Sequence, residues 1–287
     1  MTESALRAET AIVTAVRSAP LRKRVAIRIG QALSVIFPGR ARSVESGKHV
    51  GSTRLVDRMI RNGIRAHAIK QRDHRRIRDM HRAYWSSHAN DFATDYTFRF
   101  REQFLASDAS FLDNVDTIIE DLPIRSIVEV GCGNGLVLQF LSDRWPNVKQ
   151  FVGIDIDAAV IQRNREVYTD PKFTFVQSDV QQWVRENATS STLLITNGGV
   201  LEYFLKSEVE AILDSLNSIK PAAVVLIETL GSDHDLERDC DTHVYGRELS
   251  FSHSYPSLLQ QAGFKIHKQD ERFGPHGDRW IRVAAVS

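Results

Sequence analysis

One segment, Ser126-Ile127-Val128-Glu129-Val130-Gly131-Cys132-Gly133-Asn134-Gly135, constrains the fold of this chain more than any other. A short run of β-branched residues ends at an acid, three glycines follow at alternate positions, and a helical apolar period starts near Leu136. The run favours a strand and the period a helix. Glycines between them predict a turn with backbone angles that side chains forbid, against which a ligand can lie directly. The helix that follows aims its unpaired N–H groups at the same place. The spacing is Glu-x-Gly-x-Gly-x-Gly. A dinucleotide fingerprint needs its third glycine where Leu136 stands, and a phosphate-gripping P-loop needs a Gly-Lys-Ser/Thr ending that is absent.

Strands and helices alternate downstream. Residues 150–154 read as a second strand closed by Asp155, and 173–176 as a third closed by Gln177-Ser178-Asp179. Between them 158–168 has helical periodicity, with Asp157 as N-cap. A fourth strand, 193–196, runs into Asn197-Gly198-Gly199, and 222–228, 264–268 and 280–286 give three more. Apolar strands separated by helices predict a parallel sheet covered on both faces. The turn at 274–277 is too short for a parallel crossover, so the last two strands form an antiparallel hairpin. The expected fold is α/β: a seven-stranded, doubly wound, mostly parallel sheet with an antiparallel terminal hairpin, preceded by a helical N-terminal extension.

The glycine loop, the acids at three strand ends and the terminal hairpin together resemble the class I S-adenosylmethionine-dependent methyltransferases, over residues 122–287. The resemblance implies S-adenosylmethionine as cofactor. It places Glu129 near the methionine amino end, with the backbone of Gly131, Cys132, Gly133, Asn134 and Gly135 alongside. It gives Asp155 the ribose hydroxyls and Asp179 the adenine amino group, with Ile156, Val180, Asn197 and Gly198 completing the set. The plainer alternative for each acid is that it caps the next helix. The resemblance is silent on the acceptor.

Two cysteines, Cys132 and Cys240, cannot build a disulfide scaffold, which points to a reducing, cytoplasmic setting. No apolar run approaches the roughly 20 residues of a membrane span, and Glu3 and Glu9 speak against a secretory signal. The net charge of +1 conceals an asymmetry: residues 1–82 hold 19 Lys and Arg against 6 Asp and Glu, and the remainder 18 against 30. The basic part reads as two helices, 21–37 and 55–84, divided by the turn signal Phe37-Pro38-Gly39, with Arg72, Arg75, Arg76 and Arg78 crowded on the second. Part of the first 50 residues is expected to be disordered when free. Such helices can attract phosphate backbones of nucleic acid or an anionic membrane surface. They can equally complement the acidic half, within one chain or between the subunits of a homo-oligomer. The domains expected are a basic helical region (1–82), an aromatic-rich helical lid (83–121) and a catalytic domain (122–287).

The aromatic stretch from Tyr84-Trp85 through His88, Phe92, Tyr96, Phe98, Phe100 and Phe104 looks similar to the lid that covers the cofactor in this family, with Tyr96 or Arg99 meeting the cofactor carboxylate. The acceptor pocket is expected between this lid, the segment after the fourth strand and the insertion 230–256. Asn197-Gly198-Gly199-Val200 departs from the Asn/Asp-Pro-Pro-Tyr pattern of enzymes that methylate planar exocyclic amines. A hydroxyl acceptor needs a proton removed, which suits a histidine. His243 and His253 of the insertion are the catalytic candidates. Asp233, His234, Asp235 and Asp241 give a metal site only in a less favoured reading, and none is expected. The function read from the sequence is methyl transfer to a small or medium-sized acceptor, a secondary metabolite or sugar, most readily at oxygen. Its alternatives are an RNA or protein methyltransferase docking through the basic helices, and a non-catalytic cofactor-binding scaffold.

Overall fold

The computed structural model describes residues 21–47, 54–274 and 277–287. Strand β1, Ser126–Val130, is buried along its whole length. Its parallel neighbours are β2 (Gln150–Asp155) on one side and β4 (Thr192–Asn197) on the other. Outside these lie β3 (Phe173–Gln177) and β5 (Ala222–Leu230), also parallel. The C-terminal pair β8 (Lys265–Phe273) and β9 (Arg279–Val286) completes the sheet antiparallel to β5 and to each other. The order is β3-β2-β1-β4-β5-β9-β8. The expected seven strands and terminal hairpin are present, and two residues of the expected turn, 275 and 276, lie outside the described residues.

Alternate strand residues face opposite sides, as the pleat requires. Val128, Val130, Leu194, Val224 and Leu226 pack against α9 (Val180–Asn187), α10 (Lys206–Asn217) and α11 (Tyr255–Gln261). Ile127, Leu193, Ile195, Val225 and Ile227 pack on the other face against α6 (Asp113–Asp121), α7 (Leu136–Arg144) and α8 (Ala158–Val167). With both faces covered, the order of strands reverses between β1 and β4, and the ligand crevice of such a sheet opens at the carboxyl ends there.

The basic N-terminal region differs from its expected form in two places. Phe37 does not open a loop: α1 (Leu21–Ile36) is followed at once by α2 (Pro38–Glu45), because proline is pre-shaped for the first helical turn. The single helix expected over 55–84 is two, α3 (Leu55–Gln71) and α4 (His74–His88). Arg72 takes a left-handed conformation (φ 53°) and Asp73 caps α4 through Arg76 N, so the chain turns back. The boundary drawn at residue 82 falls inside α4. Of the first 50 residues, 21–47 are described and largely helical; 1–20 lie outside the described residues, as do 48–53. Helices α1 and α3 cross with backbones in contact at Gly30 and Gly63, where a Cβ on Gly63 would sit 2.4 Å from Gln31 N. Ala68 and Ile77, from α3 and α4, pack with Val244, Leu249 and Phe251 of the hairpin β6 (His243–Tyr245) and β7 (Ser250–Ser252). The insertion after β5 thus anchors the N-terminal helices to the sheet, with α4 across its carboxyl end. Beyond α4 the chain continues through α5 (Ala93–Arg99) and a wide π-helical segment, Phe100–Asp108.

Candidate active site

The glycine turn is built as its sequence requires. Gly131, Gly133 and Gly135 all have positive φ (67°, 48° and 75°). A Cβ on Gly131 would lie 2.8 Å from a methyl of Val200, so the loop after β4 closes directly over this backbone. Asp155, at the end of β2, is 8% exposed and braces the turn: Oδ2 accepts from Gly133 N at 3.3 Å and Oδ1 from Asp157 N at 3.0 Å. Burial, eased by those N–H donors, raises its pKa to about 6. Glu129, in β1, is buried with Oε2 lacking any hydrogen-bond partner among the described residues, and burial pushes its pKa well above the carboxylate range. Burial raises the Cys132 thiol in the same way, which keeps it protonated and inert.

Two adjoining cavities flank this turn. The first encloses about 960 Å³ including its mouth and is lined by Gly131, Asp155, Ile156, Asp179, Val180, Asn197 and Gly198 from the sheet side. Its roof is Arg78, Arg82 and Trp85 of α4, with Tyr96 and Arg99. The second, about 590 Å³, takes in Glu129, Cys132, Gly133 and Asn134, with Arg272 and Trp280 from β8 and β9. Tyr96, Arg99, Gly131, Asn197 and Gly198 line both, so the two are ends of one elongated crevice. Of the cofactor residues expected from sequence, Gly135 alone lines neither; it starts α7 in a left-handed conformation.

Some of these acids already have occupations. Asp179 caps α9 through Gln181 N and Gln182 N, and its Oδ2 meets Arg82 Nη1 at 2.6 Å. Helix capping and cavity lining therefore coexist in one side chain. Arg78 pairs with Glu208 of α10, another cavity residue. The arginines of α4 thus draw the roof down onto the acids of the sheet domain.

The two candidate catalytic histidines are elsewhere. His253 is fully buried: Nε2 donates to Leu201 O and Phe204 O, both at 3.1 Å, and Nδ1 lies 2.8 Å from Thr242 Oγ1. Burial lowers its pKa to about 4. His243 is 2% exposed, with Nε2 2.8 Å from Asp239 Oδ2 and its ring stacked on His234. Neither lines either end of the crevice. The reason is physical: the β6–β7 part of the insertion packs inward against α3 and α4, and His234, His243 and His253 are enclosed with it. Among the described residues no three of His, Cys, Asp and Glu converge to hold a metal ion.

Sequence reasoning missed Arg78, Arg82, Tyr203 and Glu208 in the first cavity, and Glu228 behind it. Glu228 sits in β5, fully buried, and Oε2 accepts from Val200 N (2.9 Å) and Leu201 N (3.0 Å), fixing the loop that covers Gly131. Burial raises its pKa to about 8. An acid inside the apolar run Ala222–Leu230 was the available signal.

A family model described as a methyltransferase domain matches residues 90–269. Over 144 residues the chain is 28% identical to a trans-aconitate 2-methyltransferase of Escherichia coli (strain 55989 / EAEC), covering 50% of this chain and 52% of that protein. The chain therefore spans about half the length of the curated relatives it matches. Similar solved structures include Streptomyces venezuelae DesVI (15% identity, 67% of this chain and 96% of that one, TM-score 0.47). Another is the N-methyltransferase NodS from Bradyrhizobium japonicum WM9 (11% identity, 61% and 92%, TM-score 0.46).

Proposed function

The chain belongs to the class I S-adenosylmethionine-dependent methyltransferases, and from that premise we propose that it methylates a small or medium-sized acceptor at oxygen inside the roofed crevice. The observation that carries this is the roof itself. Arg78 and Arg82 of α4 line the cavity and are tied to Glu208 and Asp179, which favours an enclosed small acceptor over a nucleic acid docked on an open basic surface.

The residues suit the cofactor. The orphaned Oε2 of Glu129 offers an acceptor to an ammonium group, the Asp155 carboxylate an acceptor to ribose hydroxyls, and Ile156 and Val180 apolar sides to an adenine ring. When bound, the cofactor supplies a methyl carbon activated by a positively charged sulfur. The chain's own task is alignment: Gly131 brings bare backbone to the site, and Trp85 and Tyr203 wall it against water. Tyr203 stays a protonated hydrogen-bond donor, since burial pushes its pKa far up. An acceptor oxygen that is already ionised, as in a carboxylate, needs no base. The relatives named for trans-aconitate, a small carboxylic acid, make that acceptor class the first to try. The test is release of S-adenosylhomocysteine across a panel of small carboxylic acids, phenols and sugars. Turnover of oligonucleotides or peptides, with none of the small acceptors, would refute the proposal.

A further inference from the structure

A third cavity lies behind the roof, about 1090 Å³ including its mouth, between the N-terminal helices and the β6–β7 hairpin. It meets the first cavity at Trp85, Tyr203 and Arg99, which line both. The Trp85 and Tyr203 rings touch there, with centroids 5.5 Å apart. Its walls are cationic. Arg61 and Arg65 stand one turn apart on α3, and Arg99 guards the junction, against the acids Glu45 and Glu248. Glu45 is held by Arg76 at 2.5 Å, and Glu248 is the other acid of a wall that carries Arg61, Arg65 and Arg99. His81 brings no charge: burial lowers its pKa to about 4, and Nε2 lies 3.2 Å from Leu249 O. Arg65 is partly buried, its guanidinium donating to Arg247 O, with Arg61 repelling it and Glu248 opposing that repulsion. Like charges held one helical turn apart destabilise a helix, and partly desolvated guanidinium groups are satisfied best by an oxyanion held through paired N–H groups.

We propose that this chamber is an anion subsite for the acceptor: Arg61 and Arg65 hold a carboxylate at one end of it, while its methyl-accepting oxygen reaches past Trp85 and Tyr203 into the first cavity. This rests on the methyltransferase reading above and narrows its substrate class to acids with a second oxygen function. It also gives the basic N-terminal helices a task at the catalytic site, in place of docking a nucleic acid. The apolar wall of Ile77, Met80 and Leu249 suits a hydrocarbon body between the two polar ends.

The test is calorimetric titration of the full chain, in the presence of S-adenosylhomocysteine. The probes are 4-hydroxybenzoate, 4-hydroxycinnamate and itaconate, each against its neutral amide. Acids should bind at least about tenfold more tightly than their amides, as charge-assisted hydrogen bonds require. Arg65→Met and the less intrusive Arg61→Gln should each weaken the best acid by about tenfold or more, with unchanged melting temperature and unchanged S-adenosylmethionine affinity. Equal binding of acids and amides, no acid binding at about millimolar concentration, or variants that bind acids as the wild type does would each overturn the subsite. S-adenosylmethionine titrated alone reports separately on the cofactor reading. A chain that binds acids through Arg61 and Arg65 but not the cofactor would lose the methyltransferase reading and keep the subsite.

Discussion

Replacing Asp155 by asparagine separates what its carboxylate does for a ligand from what it does for the fold. At pH 8 a group with pKa about 6 is ionised, and its two oxygens already accept from Gly133 N and Asp157 N. If it also takes the ribose hydroxyls, Asp155→Asn turns charge-assisted hydrogen bonds into neutral ones. The expected loss is roughly 1.5–3 kcal/mol, or about 10- to 150-fold in S-adenosylmethionine affinity. Stability should move far less. The folded pKa is raised from 3.8, so the folded carboxyl keeps a proton that the unfolded chain releases. The stability tied to it is therefore lost as pH rises from about 4 through about 6, by about 3 kcal/mol. Asparagine removes that penalty but offers one acceptor oxygen to two N–H groups, and the deserted one costs about 1–3 kcal/mol. The two terms offset. The same ionisation makes wild-type affinity fall as pH drops below about 6, by up to about tenfold per unit, while the variant should titrate flat. Calorimetry at pH 8, 6 and 5, with melting curves alongside, reads all of this. Native affinity at pH 8 in a folded variant, or a wild-type affinity independent of pH, would refute the assignment of Asp155 to the cofactor.

Three further outcomes are expected. Gly131→Ala should abolish detectable cofactor binding and cost about 1–3 kcal/mol in a denaturant melt, because φ is +67° and the new Cβ would stand 2.8 Å from Val200; near-native binding would show that the loop after β4 yields freely. The histidines His81 (partly buried), His234 and His253 (buried), all lowered to about 4, contribute stability that is complete above about pH 6.5 and is lost as pH falls toward 4, up to about 3 kcal/mol each. His253→Gln should remove its share of that acid limb in melting temperature against pH while leaving methyl transfer near wild type; a large fall in turnover at constant stability would support His253 as a base. Arg82→Ala removes a half-exposed ion pair and should cost under about 1 kcal/mol of stability, yet raise the acceptor KM by loosening the roof, so unchanged kinetics would deny α4 that role.

Much of the sheet domain could be read from local pattern. The glycine turn, the acids closing β1, β2 and β3, and the short link before β9 each depend on residues a few positions apart, where propensity and spacing act directly. The roof could not. Arg78 meets Glu208 across 130 positions of sequence, and nothing near either residue marks the pair. Glu228 reads as a flaw in an apolar strand until the backbone of Val200 and Leu201 is seen above it. The enclosure of His243 and His253 could not be read either: the same residue type can face a cavity or lie in packing, and sequence does not show which way a loop turns.

By itself, then, the sequence determined that this chain builds a doubly wound sheet with a ligand turn after β1, because bare backbone and strand-end acids are local requirements met by local residues. It also determined the charge asymmetry between the two halves. Only the tertiary structure decided what that asymmetry does. Folding back at Arg72 and Asp73 carries α4 across the carboxyl end of the sheet, where Arg82 meets Asp179 and Arg78 meets Glu208. Arg61 and Arg65 of α3 line a chamber next to the crevice. Charge attracts at any separation in sequence, and only the packing of α3 and α4 on the β6–β7 hairpin fixed which charges came within reach.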